Sequence, residues 1–361
     1  MTWLAWRQLR TQAAVAALGV IGILVALVAT GPHLRNIYDT VVAPCAAHGD
    51  CLSVTAAFQA RESQLRHLCS ALMLLAPVLF GVFLGAPLVA RELETGTYRL
   101  AWTQSVTRTR WIATRLALVV LATAVLMGLL STAVTWWQRP FDLANSALYI
   151  NFAQRDLVPV AYAVFAVALG ALLGAIVRRT LVAMAATIVG YVGSLYLAAS
   201  YVRPAIFEPL RSITPFRIQV LIGGVQTTIG PPQANDWVNS DEIVTTTGRV
   251  VGQHGGIGPN GSIGFNVNND GTAIFNGVGR CPNRVPVPPG GIRAPNPTHA
   301  QAQATQVALQ HCVDSFHLRE VVTFQPASRY WPLQWTEATI FVGLAFALGA
   351  VCVWWVRRRL P

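Results

Sequence analysis

The sequence predicts an α-helical polytopic membrane protein. Six transmembrane helices place both termini on the cytoplasmic side, and a mixed α/β extracytoplasmic domain lies between helices five and six. Three observations carry this. Of 361 residues 53% are apolar and only 11% charged, with a mean hydropathy of +0.48, whereas a typical soluble domain is about 25% charged. Six stretches reach the length of about 20 residues that a helix needs to cross a bilayer core. The charges between those stretches are sorted by side.

The spans read as residues 13–31, 68–90, 116–134, 157–177, 181–201 and 336–356; only Glu337, at the start of the sixth, is charged. The first run follows an Arg-bearing start, but its 19 residues exceed the 7–15 of a signal peptide and no A-x-A site follows, so a retained helix is expected. With the N-terminus inside, the inner segments hold 12 Arg and two acids, a net +10. The outer segments hold 14 Arg and 13 acids, a net +1. The total of +11 is therefore a topology signal of the positive-inside kind, and nucleic acid as a partner loses its main support. Tryptophan agrees in ten of eleven cases: Trp3, Trp6, Trp102, Trp111, Trp354 and Trp355 fall at the inner interface and Trp136, Trp137, Trp331 and Trp335 at the outer, and Trp237 lies elsewhere.

The first outer loop, 32–67, has helical composition over 54–67 and leads into the second span. Residues 202–335 are too polar and too rich in Gly, Pro and Asn for the bilayer, and their length suits one small domain. Within it, 263–275 alternates around Asn269-Asp270-Gly271, a hairpin signal in which Gly supplies a positive φ. Residues 298–316 read as a helix, and the proline-rich 282–297 as an extended connection. Gly256 to Gly261 spells G-x-G-x-x-G, but in a Gly/Asn-rich loop it reads as a turn rather than a phosphate site.

Cys45, Cys51, Cys281 and Cys312 fall on the oxidising side, which suggests disulfides Cys45–Cys51 and Cys281–Cys312; four free thiols are the alternative. The seven histidines also fall outside, without metal-ligand spacing, so no metal site is expected. No nucleophile elbow, zinc-protease motif or intramembrane carboxylate pair occurs, and all 26 basic residues are Arg. Without Lys there is no Walker A lysine. If ATP drives this protein, another chain binds it. Gly81-x-x-x-Gly85 and Gly170-x-x-x-Gly174 permit close helix approach, with packing inside the chain as the expected use.

The most informative stretch is 91–111, which joins spans two and three and holds both inner acids. It runs from an acidic helical turn through Gly96-Thr97 to a second amphipathic piece and an Arg-rich re-entry. This segment resembles the permease subunits of ATP-binding cassette exporters of the second type, also called the type V exporter fold. Their inner loop commonly reads as an acid, Gly-Thr, about ten residues, then Arg and an aromatic; the matching positions are Glu94, Gly96, Thr97, Arg108 and Trp111. The basic N-terminal stretch 1–11 and the large loop between spans five and six extend the likeness. Trp6-Arg7-Gln8, Thr103 to Val106 and Trp354 to Arg359 look like an actinobacterial branch.

The resemblance implies a permease of the bacterial plasma membrane with no catalytic site of its own, exporting a hydrophobic or amphipathic substrate such as a lipid, peptide or drug. It implies a separate ATPase subunit that carries ATP and Mg, and a second permease, identical or related. Arg91, Glu92, Glu94, Gly96, Thr97, Arg99, Thr103, Gln104 and Arg108 would form the ATPase-coupling helix. Spans two and five would line the path, with Phe80, Phe83 and Tyr191 as candidates there. The outer domain's size supports a different reading, a membrane sensor or scaffold whose domain binds a ligand or partner.

Overall fold

The structure, a computed structural model, describes residues 2–46, 52–95, 107–145, 149, 151–221, 224–228, 235–253, 265–268, 270–275, 278–287 and 299–359. Among them, six helices are long and apolar enough to cross a membrane: Ala14–Cys45, Gln64–Thr95, Thr109–Ala144, Val158–Val177, Thr180–Ile206 and Ala327–Arg359. The chain forms two compact units, a helical one of Met1–Phe207 with Tyr330–Pro361, and an α/β one, Glu208–Arg329. Residues 202–207 and 330–335, counted with the outer domain on composition, belong to the helical unit because they continue the fifth and sixth helices.

The helices of the first unit are α1 (Thr2–Ile37), α2 (Ala43–Ala46), α3 (Leu52–Phe80), α4 (Ala86–Thr95), α5 (Arg108–Asn145), α6 (Val158–Val177), α7 (Thr180–Leu197), α8 (Arg203–Ile206) and α10 (Tyr330–Arg359). Most run past the apolar stretches that signalled them. The first does not stop at Gly31-Pro32 but continues to Ile37 and, through a widened turn, to Ala46. A neighbour supports it there: the Trp137 indole N–H donates to Thr30 Oγ1 at 2.9 Å, and a Cβ at Gly31 would lie 2.5 Å from the Trp136 ring. Apolarity marks the part of a helix that sits in lipid, not where its backbone bonds end.

Among the described residues three π turns join consecutive helices, at Tyr38–Val42, Gly81–Gly85 and Ala198–Val202. Each closes with an N–H bonded to the carbonyl five residues back: Ala43 to Tyr38, Ala86 to Gly81 and Arg203 to Ala198. In each case the next residue is proline, Pro44, Pro87 or Pro204. A proline ring collides with the carbonyl four residues earlier in a regular helix. Widening the preceding turn moves that carbonyl aside, so the chain bends without breaking.

Helix α6 is the centre of the unit. It is apolar on every side, as a helix enclosed by others is, and fourteen of its residues are buried. The rod formed by α3, the π turn and α4 crosses it at the two glycine pairs. A Cβ at Gly81 or Gly85 would lie 2.7 Å from Ala166 O or 2.6 Å from Val167 O; one at Gly170 or Gly174 would lie 2.5 Å from Gly81 O or 2.4 Å from Ala86 O. The two small-residue motifs therefore pack on each other, inside this chain. On another side Phe341 of α10 packs edge-on against Tyr162 and Phe165, at 4.6 and 5.2 Å.

Among the described residues the α/β unit has nine strands: β1 (Leu210–Pro215), β2 (Arg217–Leu221), β3 (Gly224–Thr228), β4 (Trp237–Val244), β5 (Val250–Gln253), β6 (Phe265–Val267), β7 (Ala273–Phe275), β8 (Gly279–Arg280) and β9 (Arg319–Gln325), with helix α9 (His299–Ser315). They form an antiparallel sheet β1-β9-β4-β5, a hairpin β2-β3 and a three-stranded β6-β7-β8. The β6–β7 hairpin pairs Phe265 with Phe275 across a turn where Gly271 takes φ +82°, and a Cβ at Gly271 would meet Val285 O at 2.5 Å. Asp270 accepts bonds from the Thr272 N–H and hydroxyl, both 2.9 Å, and the backbone bond holds its carboxyl below the usual range. The glutamines of α9 serve the edge of β2: Gln310 accepts from the Ile218 N–H at 3.1 Å and donates to Phe216 O at 3.3 Å. Below them lies a core of Phe216, Ile218, Ile243, Phe275, Leu309 and Val313. Cys281 and Cys312 form a disulfide against it. Cys45 is also disulfide-bonded; its expected partner Cys51 lies outside the described residues, as does the glycine-rich 256–261.

Two outcomes follow. Gly170→Ala should cost about 1–3 kcal/mol through overpacking and lower the melting temperature in detergent, whereas Gly343→Ala, whose Cβ meets nothing within 4 Å, should not lower it. Replacing Cys281 and Cys312 by Ser opens a link of sequence separation 31 and should destabilise the α/β unit by about 2–4 kcal/mol, read as faster limited proteolysis between β1 and β9.

Candidate functional site

Helices that alternate in direction bring the end of α4, the start of α5, the α6–α7 turn and the end of α10 to one end of the bundle. Their polar residues join them. Thr107 caps α5, accepting from the Arg110 N–H at 3.4 Å. Glu92 of α4 is paired with Arg115 of α5 at 2.9 Å, both side chains largely buried, and the Arg115 guanidinium lies 4.5 Å from the centroid of the Trp111 ring. Glu94 reaches across to α7, where one carboxylate oxygen accepts from the Thr180 N–H at 3.1 Å and its hydroxyl at 2.6 Å. Those first N–H groups of a helix have no partner within it, and a carboxylate also suits the positive end of the helix dipole. Arg178, in the left-handed conformation that ends α6, donates to Arg359 O at 3.3 Å.

The coupling residues expected from sequence thus fall into three groups. Arg91, Glu92 and Glu94 stand on α4, with Arg91 and Glu94 exposed. Arg108 opens α5. Gly96, Thr97, Arg99, Thr103 and Gln104 lie outside the described residues.

Beside this end runs an apolar groove of about 870 Å³, between α1, the α3–α4 rod and α7. Phe80 and Phe83 line it, together with Val15, Leu79 and Met184, and its polar end is made by Arg91, Glu94 and Thr180. Tyr191 is not part of this lining. It is buried on α7, edge-on to Tyr162 with ring centroids 6.5 Å apart.

The opposite end is closed by a buried polar network that sequence reading did not anticipate. Gln334 of α10 accepts from the Leu157 and Val158 N–H groups at 3.2 and 3.1 Å, capping α6, and donates to Phe152 O at 2.9 Å. Arg155 pairs with Asp142 at 2.7 Å and Asp156 at 3.3 Å, and Tyr330 donates to Asp156. Burial, the largest single influence, would lower the basicity of the Arg155 guanidinium; Asp142, Tyr330 and Asp156 together offset it and hold its pKa above the usual value. Glu337, fully buried, takes two bonds from Arg203, at 2.9 and 3.0 Å, and one from Tyr162. The available signal was the spacing of Tyr330, Gln334 and Glu337, one polar stripe at helical period on an apolar helix. Likewise Arg115 and Thr180 carried no motif; only the fold gives them partners. Among the described residues no group of three or more His, Cys, Asp or Glu is placed to hold a metal ion.

Removing one partner of the Glu92–Arg115 pair should cost about 3–5 kcal/mol by depriving a buried charge of its opposite. The pair Glu92→Leu with Arg115→Met should cost less than either single change in a thermal double-mutant cycle.

Neither a curated protein nor a solved structure matches the chain. A family model does: the one described as ABC-2 membrane transporter related matches residues 15–203, just over half of the chain. That interval covers the first five membrane-length helices almost completely and ends before the α/β unit begins. The chain therefore belongs to the ABC-2 membrane transporter related family, as a multi-pass permease subunit of the ABC type.

Proposed function

We propose that the chain is the transmembrane subunit of an ATP-driven exporter that moves a hydrophobic or amphipathic substrate outward across a bacterial plasma membrane, of the actinobacterial kind its sequence resembles. A separate ATPase subunit supplies the ATP and Mg site, and two permeases, identical or related, pair to enclose the path. The end that gathers Arg91, Arg110, Arg115, Arg178, Arg179 and Arg357 to Arg359 is the cytoplasmic one, in keeping with the Arg asymmetry of +10 against +1. Both termini then lie in the cytoplasm and the α/β unit lies outside.

One observation carries the reading beyond family membership. The segment 96–106 enters from α4 and leaves into α5, and α4 is tied to α5 by Glu92–Arg115 and to α7 by Glu94–Thr180. A push on that segment by an ATPase reaches two further helices through these bonds. The rod that carries α4 and helix α7 both line the groove with Phe80 and Phe83, so the same displacement alters the space a substrate would occupy. Glu94 acts here as a positioning residue within the chain.

Co-expression with a neighbouring ATPase gene should yield a stable complex. In it, Glu94→Ala should preserve assembly while ATP-driven uptake into inverted vesicles falls about tenfold or more, as expected for loss of a charge-assisted bond. Absence of any complex, or transport and ATPase activity indifferent to changes at both Glu94 and Gly96, would overturn the reading.

A further inference from the structure

The groove carries charge at one end only, from Arg91 and Glu94, and the two are not equivalent. The Glu94 carboxylate is already engaged by two donors of Thr180 and lies within electrostatic reach of Arg179. Glu92, two residues before it, is held by Arg115. Arg91 is exposed, points no bond at either acid, and has no acidic partner among the described residues. The other exposed charges at this end among the described residues, Arg110, Arg178, Arg179 and Arg357 to Arg359, are cationic as well. Among the described residues that line the groove, the charge left without an acidic partner is that of Arg91, and it is positive.

The remainder of the lining is hydrocarbon, from Val15 and Gly19 on α1 to Leu75 and Leu79 on α3. Gly19 leaves room, since a Cβ there would meet nothing within 4 Å. From Arg91 back to Leu72, the lining follows 19 residues of nearly continuous helix, about 28 Å at the helical rise, close to the ~30 Å hydrocarbon thickness of a bilayer. The volume of about 870 Å³ is at the upper end of small-molecule sites. A long apolar trough with the Arg91 guanidinium at one end, without an acidic partner among the described residues, is complementary to a lipid whose headgroup is an anion.

We propose that the groove binds an anionic amphiphile of the lipid class, its phosphate or carboxylate paired with Arg91 and its acyl chain laid along α1 and α3. That this occupant is the transported cargo rests on the permease reading; the binding itself does not.

The test uses the purified full-length chain titrated with phosphatidylglycerol and with phosphatidylcholine of identical acyl chains, followed by native mass spectrometry. Phosphatidylglycerol should bind about tenfold or more tightly, the scale of one charge-assisted hydrogen-bonded pair. Arg91→Gln should erase that preference, Arg91→Lys should retain most of it, and Arg358→Gln should leave it intact. Gly19→Trp, which fills the groove, should weaken both lipids. Equal binding of the two lipids, or a preference that survives Arg91→Gln and disappears with Arg358→Gln, would overturn the proposal. If the preference is absent while an ATPase still co-purifies, only the lipid site falls. If it is present and no ATPase pairs with the chain, the permease reading falls and the lipid site stands.

Discussion

The helical unit depends on one approach of backbone to backbone, the crossing of the α3–α4 rod over α6. At that crossing the carbonyls of Gly81, Ala86, Ala166 and Val167 occupy the places where side chains would otherwise begin. In a bilayer the surrounding lipid is as apolar as the helices, so burial of hydrocarbon gives little reason for two helices to associate, and close packing of small residues supplies it. The rest follows in space. With the rod seated on α6, the end of α4 stands beside the α6–α7 turn, which is what allows Glu94 to reach Thr180. The π turn at Gly81–Gly85 belongs to the same arrangement: it accommodates Pro87 after it, and the glycines of that turn are the ones that touch α6.

The two ends of the bundle are built on different electrostatic terms. At the end of Asp142, Arg155, Arg203 and Glu337 the charges are buried and paired, with Gln334 closing the backbone of α6. Breaking such a set exposes an uncompensated charge to a low dielectric, so this end resists rearrangement. Arg203 and Glu337 also stand on the two helices through which the chain leaves for the α/β unit and returns, and their pairing keeps those helices together. At the other end most Arg side chains are solvated and the acids are few. Exposed charges are cheap to move and easily screened, which suits a surface that exchanges partners.

Much of this was legible in the chain. Six spans, the β6–β7 hairpin and helix α9 are local features: apolar length, alternation around Asp270-Gly271, and a breaker-free Ala/Gln run each determine structure within a few turns. The glycine motifs were legible as close-packing devices but not as partners of each other. The extents of the helices were not legible, because a helix continues past its apolar stretch whenever its backbone bonds remain satisfied, as α1 does through Pro32 beside Trp136 and Trp137. The candidate site was half legible. Glu92 and Glu94 stood out as the two acids on an otherwise basic face, but Arg115 and Thr180, 23 and 86 residues further on, were indistinguishable from ordinary flanking residues.

What the sequence by itself determined is the number of stretches long and apolar enough to cross a membrane and the uneven share of Arg between the segments that join them, because apolar length and charge order are properties of composition and order. What only the tertiary structure decided is which polar groups meet. Glu94 caps α7, Gln334 caps α6, Glu337 holds Arg203, and Arg91 remains without a partner among the described residues, since a side chain's partner depends on how helices distant in sequence cross. Those crossings are set by the few ångströms between Gly81, Gly85, Gly170 and Gly174, a quantity of packing that no single segment contains.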